Sequence, residues 1–329
     1  MWSAVRRRIV DVCAVLWVVA TLTFVLLHAA PGDPLSASLT DARVSPAIRA
    51  AWRSQLALDR PLPEQYARYL GSLAKGDLGY SFSRQRRVRD MLLEALPYSL
   101  ALVGSALTLS VLGAMLLGTW LALAWGTGKE RVVSGALGVL SGIPDAWLAL
   151  LLLALLGVEL GWFPLNGRCA PATCDLLPGW SAWRDVMVHA ALPVLTLTLL
   201  FAIPMSRIQR VAVSTILHDE VHRTARAKGL TPHRILTHHI WRRTFMPLLT
   251  AVALSVPTMV GGAVVIERVF GWPGMGAVLV DAVAMRDYPV VMAGAILISL
   301  VVVLASIIAE LCRVWFDPRA HERAFALHT

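Results

Sequence analysis

Few residues in this chain are of a type that does covalent chemistry, and none has the spacing such chemistry needs. Residues 126–131, GTGKER, come closest to a phosphate-cradling loop. That loop requires G-x-x-x-x-G-K-[ST], and here Glu130 follows the lysine. No H-E-x-x-H metal motif and no G-x-S-x-G nucleophile turn occurs. Cys169 and Cys174, in CAPATC, could close a small loop around Pro171 in an oxidising compartment, or could remain two thiols. With no histidine pair nearby they do not make up four zinc ligands. Cys13 and Cys312 fall in or beside apolar runs and read as small packing residues. No catalytic residue and no metal site is therefore expected. If ATP drives anything here, another polypeptide must hydrolyse it.

The remaining chemistry is that of charges in an apolar chain. Of 329 residues, 57% are hydrophobic and 16% charged, against about 45–50% and about 25% in an average globular chain. Several charge-poor runs have the ~20-residue length that crosses a bilayer. Six spans are expected: residues 12–27, 97–125, 132–158, 185–207, 243–267 and 287–310. Asp145 is the lone charge inside the third. An ionised aspartate there costs ~2.5–3.5 kcal/mol on insertion scales, so it faces a cavity or a partner. Two readings stay open. Asp145 meets a cationic group in a polar cavity, or Pro144 breaks the helix and Asp145 caps the next segment in a wet pocket.

Lysine and arginine set the orientation. Residues 1–11, 126–131, 206–243 and 313–329 hold 16 of them. Residues 159–185 and 267–287 hold 4. Residues 28–96 are longer than the ~60 residues over which the rule applies. Both termini and the 206–243 loop are thus expected in the cytoplasm. The basic start and the apolar run before HAAPG resemble a signal peptide, but the run is long and His28 makes a poor cleavage site. An uncleaved first helix is expected. The net charge of +9 follows from basic flanks on spans and does not call for nucleic acid.

Between spans, residues 29–96 form a sizeable segment. PGDPL at 31–35 is a turn, and residues 45–58 carry a serine, Pro46 and helical spacing of Ile48, Trp52 and Leu56. Tyr66, Leu70 and Leu73 line one face of a following helix, and Pro97 is expected to open the second span. Pro257, Gly261 and Gly262 favour a bent fifth span with close approach by a neighbour. Trp272, in FGWPGMG, is expected at headgroup depth.

The basic stretch 218–243, HDEVHRTARAKGLTPHRILTHHIWRR, lies between the fourth and fifth spans. On a helical wheel Leu217, Val221, Thr224 and Ala225 share one side, and His218, His222, Arg223 and Arg226 the other. Gly229 ends this helix. Thr231 and Pro232 start another, with Ile235, Leu236, His239 and Ile240 on one face. Pro247 is expected to open the fifth span. The pair is either a compact knob, with Ala225, Ala227 and Gly229 allowing close approach by a partner, or a basic surface lying in anionic headgroups.

RTARAKGL with the later PLLT resembles the EAA loop of binding-protein-dependent ABC importers, especially permeases of the dipeptide, oligopeptide and nickel family. LLHAAPGDP, LALDRPLPEQYARYL, GDLGYSF, GGAVVIERVFGWPGMGAVLVDAV, RDYPVV and the terminal DPR are similar to the same family, in order, over almost the whole chain. The resemblance implies an all-α membrane protein with the type I ABC importer permease fold, six transmembrane helices and both termini cytoplasmic, in a bacterial inner membrane. Its expected parts are the first helix at 1–28, an external segment at 29–96, a transmembrane domain at 97–313 that includes the loop 206–243, and a tail at 314–329. Glu220, Arg223, Thr224, Ala225, Lys228, Gly229 and Leu230 would form the coupling region that docks on an ATPase. Asp145, Pro257, Gly261 and Gly262 would line the path. Implied partners are a second permease, two ATPase subunits that hold ATP and Mg, an external substrate-binding protein and the bilayer. Arg223 and Thr224 replace the glutamate and alanine of the general pattern, as in the peptide branch. The implied function is import of di- or oligopeptides; nickel or metal chelates, glutathione and opine-like solutes are alternatives. A stand-alone secondary transporter would show paired intramembrane acids or repeated halves. A membrane scaffold or sensor would leave uptake intact when deleted. A membrane enzyme would need a ligand or nucleophile cluster.

Overall fold

A computed structural model describes residues 2–29, 47, 60–170 and 179–316. The expected turn at 31–35, the helix at 45–58, Cys174 and the tail beyond 316 lie outside the described residues. The described chain is helical, with one isolated β-bridge between Tyr80 and Arg87. Its helices are α1 Trp2–Ala29, α2 Leu62–Ala74, α3 Val88–Leu123, α4 Gly128–Ser141, α5 Asp145–Leu152, α6 Trp180–Leu217, α7 Glu220–Ala227, α8 Arg242–Val269, α9 Met275–Ala284 and α10 Tyr288–Phe316. Two π-helical stretches, Leu153–Glu159 and Ile235–Trp241, continue α5 and precede α8.

Among the described residues five helical stretches are long and apolar enough to cross a membrane: Arg8–Ala29, Val88–Leu123, Trp180–Leu217, Pro232–Val269 and Tyr288–Cys312. The expected third span is a broken pair, Gly128–Leu140 and Asp145–Glu159, bent by 109°. It makes the sixth crossing only if its two halves act as one. Each half is ~20 Å long at 1.5 Å per residue, short of a ~30 Å hydrocarbon core. The cause is local. Pro144 sits at φ −59° and ψ 145° ahead of α5, and Ile143 before it is disfavoured in the α region.

Two proline assignments differ from expectation. Pro97 lies inside α3 and Pro247 inside α8, each several residues past the helix start. α3 begins at Val88 because Val88, Met91, Leu92 and Ala95 recur at helical spacing and are all buried. Trp272 is 3% exposed, buried within its unit.

The chain divides into two compact units. The first comprises Met1–Ser99 and Pro273–Val303. Its core joins Val88, Met91, Leu92 and Ala95 to Met275, Ala282, Val290, Val291 and Ala293. Asp287, fully buried, fastens the 81–83 turn to the α9–α10 junction. Its Oδ2 accepts from Ser81 Oγ at 2.6 Å, Ser83 Oγ at 2.7 Å and Ser83 N at 3.0 Å. Thus GDLGYSF and RDYPVV meet through one carboxylate.

The second unit comprises Leu100–Trp272 and Leu304–Thr329. α6 and α8 form its spine, with Met205, Leu248 and Val252 packed against Ala114 of α3. Gly118 of α3 lets the α6 backbone come close: a Cβ there would lie 2.5 Å from Ser206 O and 2.7 Å from Gln209 Cβ. Gln209, wholly buried, donates from Nε2 to Thr244 Oγ1 at 2.9 Å and so ties α6 to α8. Glu130 begins the other lock. Its backbone N–H donates to the Thr127 cap at 3.2 Å. Its carboxylate takes the Arg210 guanidinium at 2.7 Å and the Ser134 hydroxyl at 2.8 Å. Arg210 also lies 4.6 Å over the Trp125 ring.

Candidate functional site

α7 and the arm behind it form a knob built on a small apolar cluster. Ala225, Ile235, Ile240, Val213 and Ala122 are buried together, with Leu217, Leu230, Leu236 and Trp241 packed around them. The turn is a Schellman cap. Gly229 N–H donates to Arg226 O at 3.0 Å and Leu230 N–H to Ala225 O at 3.3 Å. Gly229 sits at φ +71°, where a Cβ is strained. Leu230 closes the cap by packing over Ala225. Thr231 then starts the return arm, its Oγ1 accepting from Arg234 N at 3.4 Å, with Pro232 behind it. Two ties hold the knob to the spans. Arg243 pairs with Asp219 at 2.9 Å. Trp241 Nε1–H donates to Thr119 Oγ1 at 3.1 Å.

This placement sorts the expected coupling residues. Glu220, Arg223, Thr224, Lys228 and Gly229 are exposed, as are Arg226 and Ala227. Leu230 is half-buried. Ala225 is 4% exposed and points into the cluster, so it shapes the knob from within. The exposed surface carries Arg223, Arg226 and Lys228 against Glu220, a net positive face. His222 adds no charge to it. Burial, and then the neighbouring Arg226, hold its imidazole below the usual value. Val221 is helical, and its side chain is outside the described set.

The expected path residues partly converge. Asp145 occupies the first turn of α5, with Pro144 and not Asp145 in the cap position. Its Oδ2 is 3.6 Å from where a Cβ on Gly262 would stand, beside Leu197 and Phe201. A larger residue at 262 would meet that carboxylate. Asp145 is exposed, and it makes no hydrogen bond or ion pair among the described residues. The helix N-terminus favours its charge. Gly261 has open space around it, and Pro257 is exposed in α8. Cys169 is disulfide-bonded, while Cys13 and Cys312 are free. Its neighbour Ala170 donates to Asp185 Oδ2 at 2.7 Å.

Sequence reasoning missed the supports behind the knob. Glu130 drew notice only as the residue that spoils a phosphate loop. The Thr127-x-x-Glu130 pattern of a capping box was the available signal. Gly118 and Gln209 carried none.

No cluster of three or more His, Cys, Asp or Glu that could hold a metal occurs among the described residues. Residues 114–322 match the family described as binding-protein-dependent transport system inner membrane component. Residues 1–103 match the N-terminal membrane component of such systems. The di/tripeptide transport system permease protein DppB of Pseudomonas aeruginosa (strain UCBPP-PA14) is 33% identical, over 98% of this chain and 100% of its own. The oligopeptide transport system permease protein AppB of Bacillus subtilis (strain 168) is 31% identical, over 96% and 98%. The glutathione transport system permease protein GsiC of Escherichia coli (strain K12) is 32% identical, over 97% and 98%. A chain of the MetNI methionine ABC transporter, in inward-facing conformations, shares the fold. Its TM-score is 0.53 at 17% identity, covering 69% of this chain and 96% of that one. With both family models matched in order and relatives aligned end to end, the chain belongs to the binding-protein-dependent transport system inner membrane components, the multi-pass, non-enzymatic permeases of ABC importers.

Proposed function

We propose that this chain forms half of the translocation pathway for di- or oligopeptides in an ATP-driven importer. A second, related permease supplies the other half. Two ATPase subunits, carrying ATP and Mg, dock on the α7 knob from the cytoplasm, where both termini also lie. An external binding protein delivers the peptide. Closure of the ATPase pair brings the two knobs together and opens the permease pair outward; hydrolysis resets it. The observation that carries this reading is end-to-end similarity to di/tripeptide and oligopeptide permeases. The exposed, net-positive knob fits an acidic cleft on an ATPase. Similarity to the glutathione permease favours glutathione as the second solute.

The test is a tagged purification from the native host in mild detergent, read by mass spectrometry, for wild type and Gly229→Trp. No atom lies within 4 Å of a Cβ at Gly229, so an indole there projects from the knob toward a partner, and the strain any Cβ brings at this positive φ is controlled by a second variant. Expected is recovery of a second permease in both preparations, with ATPase recovery lowered about tenfold or more in the variant, equivalent to ~1.4 kcal/mol or more. Gly229→Asn, which tolerates positive φ, should keep the ATPase. Wild type that captures neither partner would end the coupling reading.

Asp145 is proposed to face the path and meet the peptide amine. Asp145→Asn should cut uptake of a peptide with a free amino terminus about fivefold or more, as expected for a charge-assisted bond of ~1.5 kcal/mol. An N-acetylated peptide should be affected far less. Equal uptake of the free peptide by wild type and variant would remove Asp145 from the path.

A further inference from the structure

The first unit contains a pocket to which the proposed function assigns no role. Its cavity is about 570 Å³. Phe24, Tyr288, Met292 and Ile296 make its floor, and each is less than 9% exposed. The wall is aromatic: Phe24 stacks on His28 at 4.0 Å and on Tyr69 at 5.9 Å. The Tyr69 hydroxyl is buried with no hydrogen-bond partner among the described residues. Its surroundings disfavour the phenolate, and burial pushes its pKa up to about 12.

The rim is basic. Arg87 and Arg89 line it, are exposed, and make no ion pair or hydrogen bond through their side chains among the described residues. Arg68 is also there, held by Glu64 at 2.8 Å. Among the described residues Asp77 is the rim's one acid, and its Oδ1 accepts from Gly79 N at 3.0 Å. Two guanidiniums, without a side-chain partner among the described residues, therefore stand over an apolar floor.

Depth decides what fits. Phe24 lies ~8 Å inside the end of α1, and Ile296 ~12 Å inside the start of α10, at 1.5 Å per residue. Both belong to helices long and apolar enough to cross a membrane, Arg8–Ala29 and Tyr288–Cys312, so the floor is built from span residues. We propose that this pocket binds one anionic phospholipid, its acyl chain on the Phe24–Met292–Ile296 floor and its phosphodiester on Arg87 and Arg89. Arginine suits phosphate oxygens because its planar fork can donate two bonds at once. The site is independent of which solute is carried.

The experiment uses the intact transporter in nanodiscs of phosphatidylcholine that contain phosphatidylglycerol with a photoactivatable diazirine in its acyl chain. After irradiation, labelled peptides are mapped by mass spectrometry. Label is expected on Phe24, Met292 or Ile296, competed by unlabelled phosphatidylglycerol but not by phosphatidylcholine or inorganic phosphate. Arg87→Gln and Arg89→Gln should each lower it about fivefold, and the lysine variants should lower it less. Both arginines are exposed, so these variants keep the fold. Label absent from the floor, or unchanged in the double glutamine variant, overturns the proposal. Competition by inorganic phosphate would instead assign the rim to a free anion and also overturn it. Displacement of the label by added binding protein would make the pocket a protein-docking site, with the same consequence.

Discussion

Gly118→Leu is expected to leave almost no folded protein, and Gly118→Ala to lower the melting point of the purified chain by several degrees. The cause is one contact. A Cβ at 118 would stand 2.5 Å from the Ser206 carbonyl oxygen, which is backbone in the middle of α6 and cannot rotate away. α6 must shift, and Ser206, Gln209 and Thr244, each 0% exposed, leave no room for it. Overpacking of this kind costs about 1–3 kcal/mol for a methyl group and more for a branched side chain. The Gln209–Thr244 bond would be strained as well. Gly104, in the same helix, is the control. Nothing lies within 4 Å of its Cβ position, so Gly104→Ala should be neutral or stabilising by up to ~1 kcal/mol through helix propensity. Thermal unfolding in detergent, followed by circular dichroism, separates the two. Equal melting of Gly118→Ala and Gly104→Ala would show that α3 and α6 are not in close contact.

Arg210→Ala should destabilise the protein by about 3–5 kcal/mol, the usual result of leaving one buried charge without its partner. Glu130 would be that charge, with a side chain only 7% exposed against 21% for Arg210. Ser134 would remain to it, and one hydroxyl does not replace a guanidinium. Glu130→Gln should cost less, because Arg210 keeps Ser134 Oγ at 3.0 Å and the Trp125 ring. The double variant Glu130→Gln/Arg210→Gln should lie well above the sum of its parts in stability, since neither charge is then orphaned. Measured additivity would show that the pair does not act as a unit. Arg210 lies in the α6 segment that leads to the knob, and Glu130 belongs to the first half of the broken span. A weakened lock should lower solute moved per ATP hydrolysed before it lowers hydrolysis itself.

Much of the fold was legible because bilayer crossing needs long apolar runs, and a single chain displays them. The knob was legible too. Gly229, Thr231 and Pro232 each have a local backbone reason for their place, so no distant contact was needed to find them. The break in the third span was half legible: Pro144 announces a break, and the bend angle depends on what the two halves pack against. The α3 start was misplaced because Pro97 suits a first turn, while the stripe from Val88 to Ala95 argued for an earlier start and outweighs it. The inward side of Ala225 was hidden because small residues suit a core and a docking surface equally well. The contact of Asp287 with Ser81 could not be read at all. It joins residues more than two hundred positions apart through hydroxyl groups that look like any turn serines.

The π-helical stretch Ile235–Trp241 puts slack into the junction between knob and span. An i→i+5 ladder holds one more residue per turn than its α neighbours. The faces on either side are therefore out of phase by about one residue, some 100° of rotation. A stripe drawn straight from Pro232 to Val269 cannot match both ends. Reversion of this stretch to α geometry would give up its stored residue and feed ~1.5 Å of length and a part-turn of screw into α8, each N–H passing from the i−5 to the i−4 carbonyl. A straight α-helix in the same place would have to fray or transmit a pull rigidly.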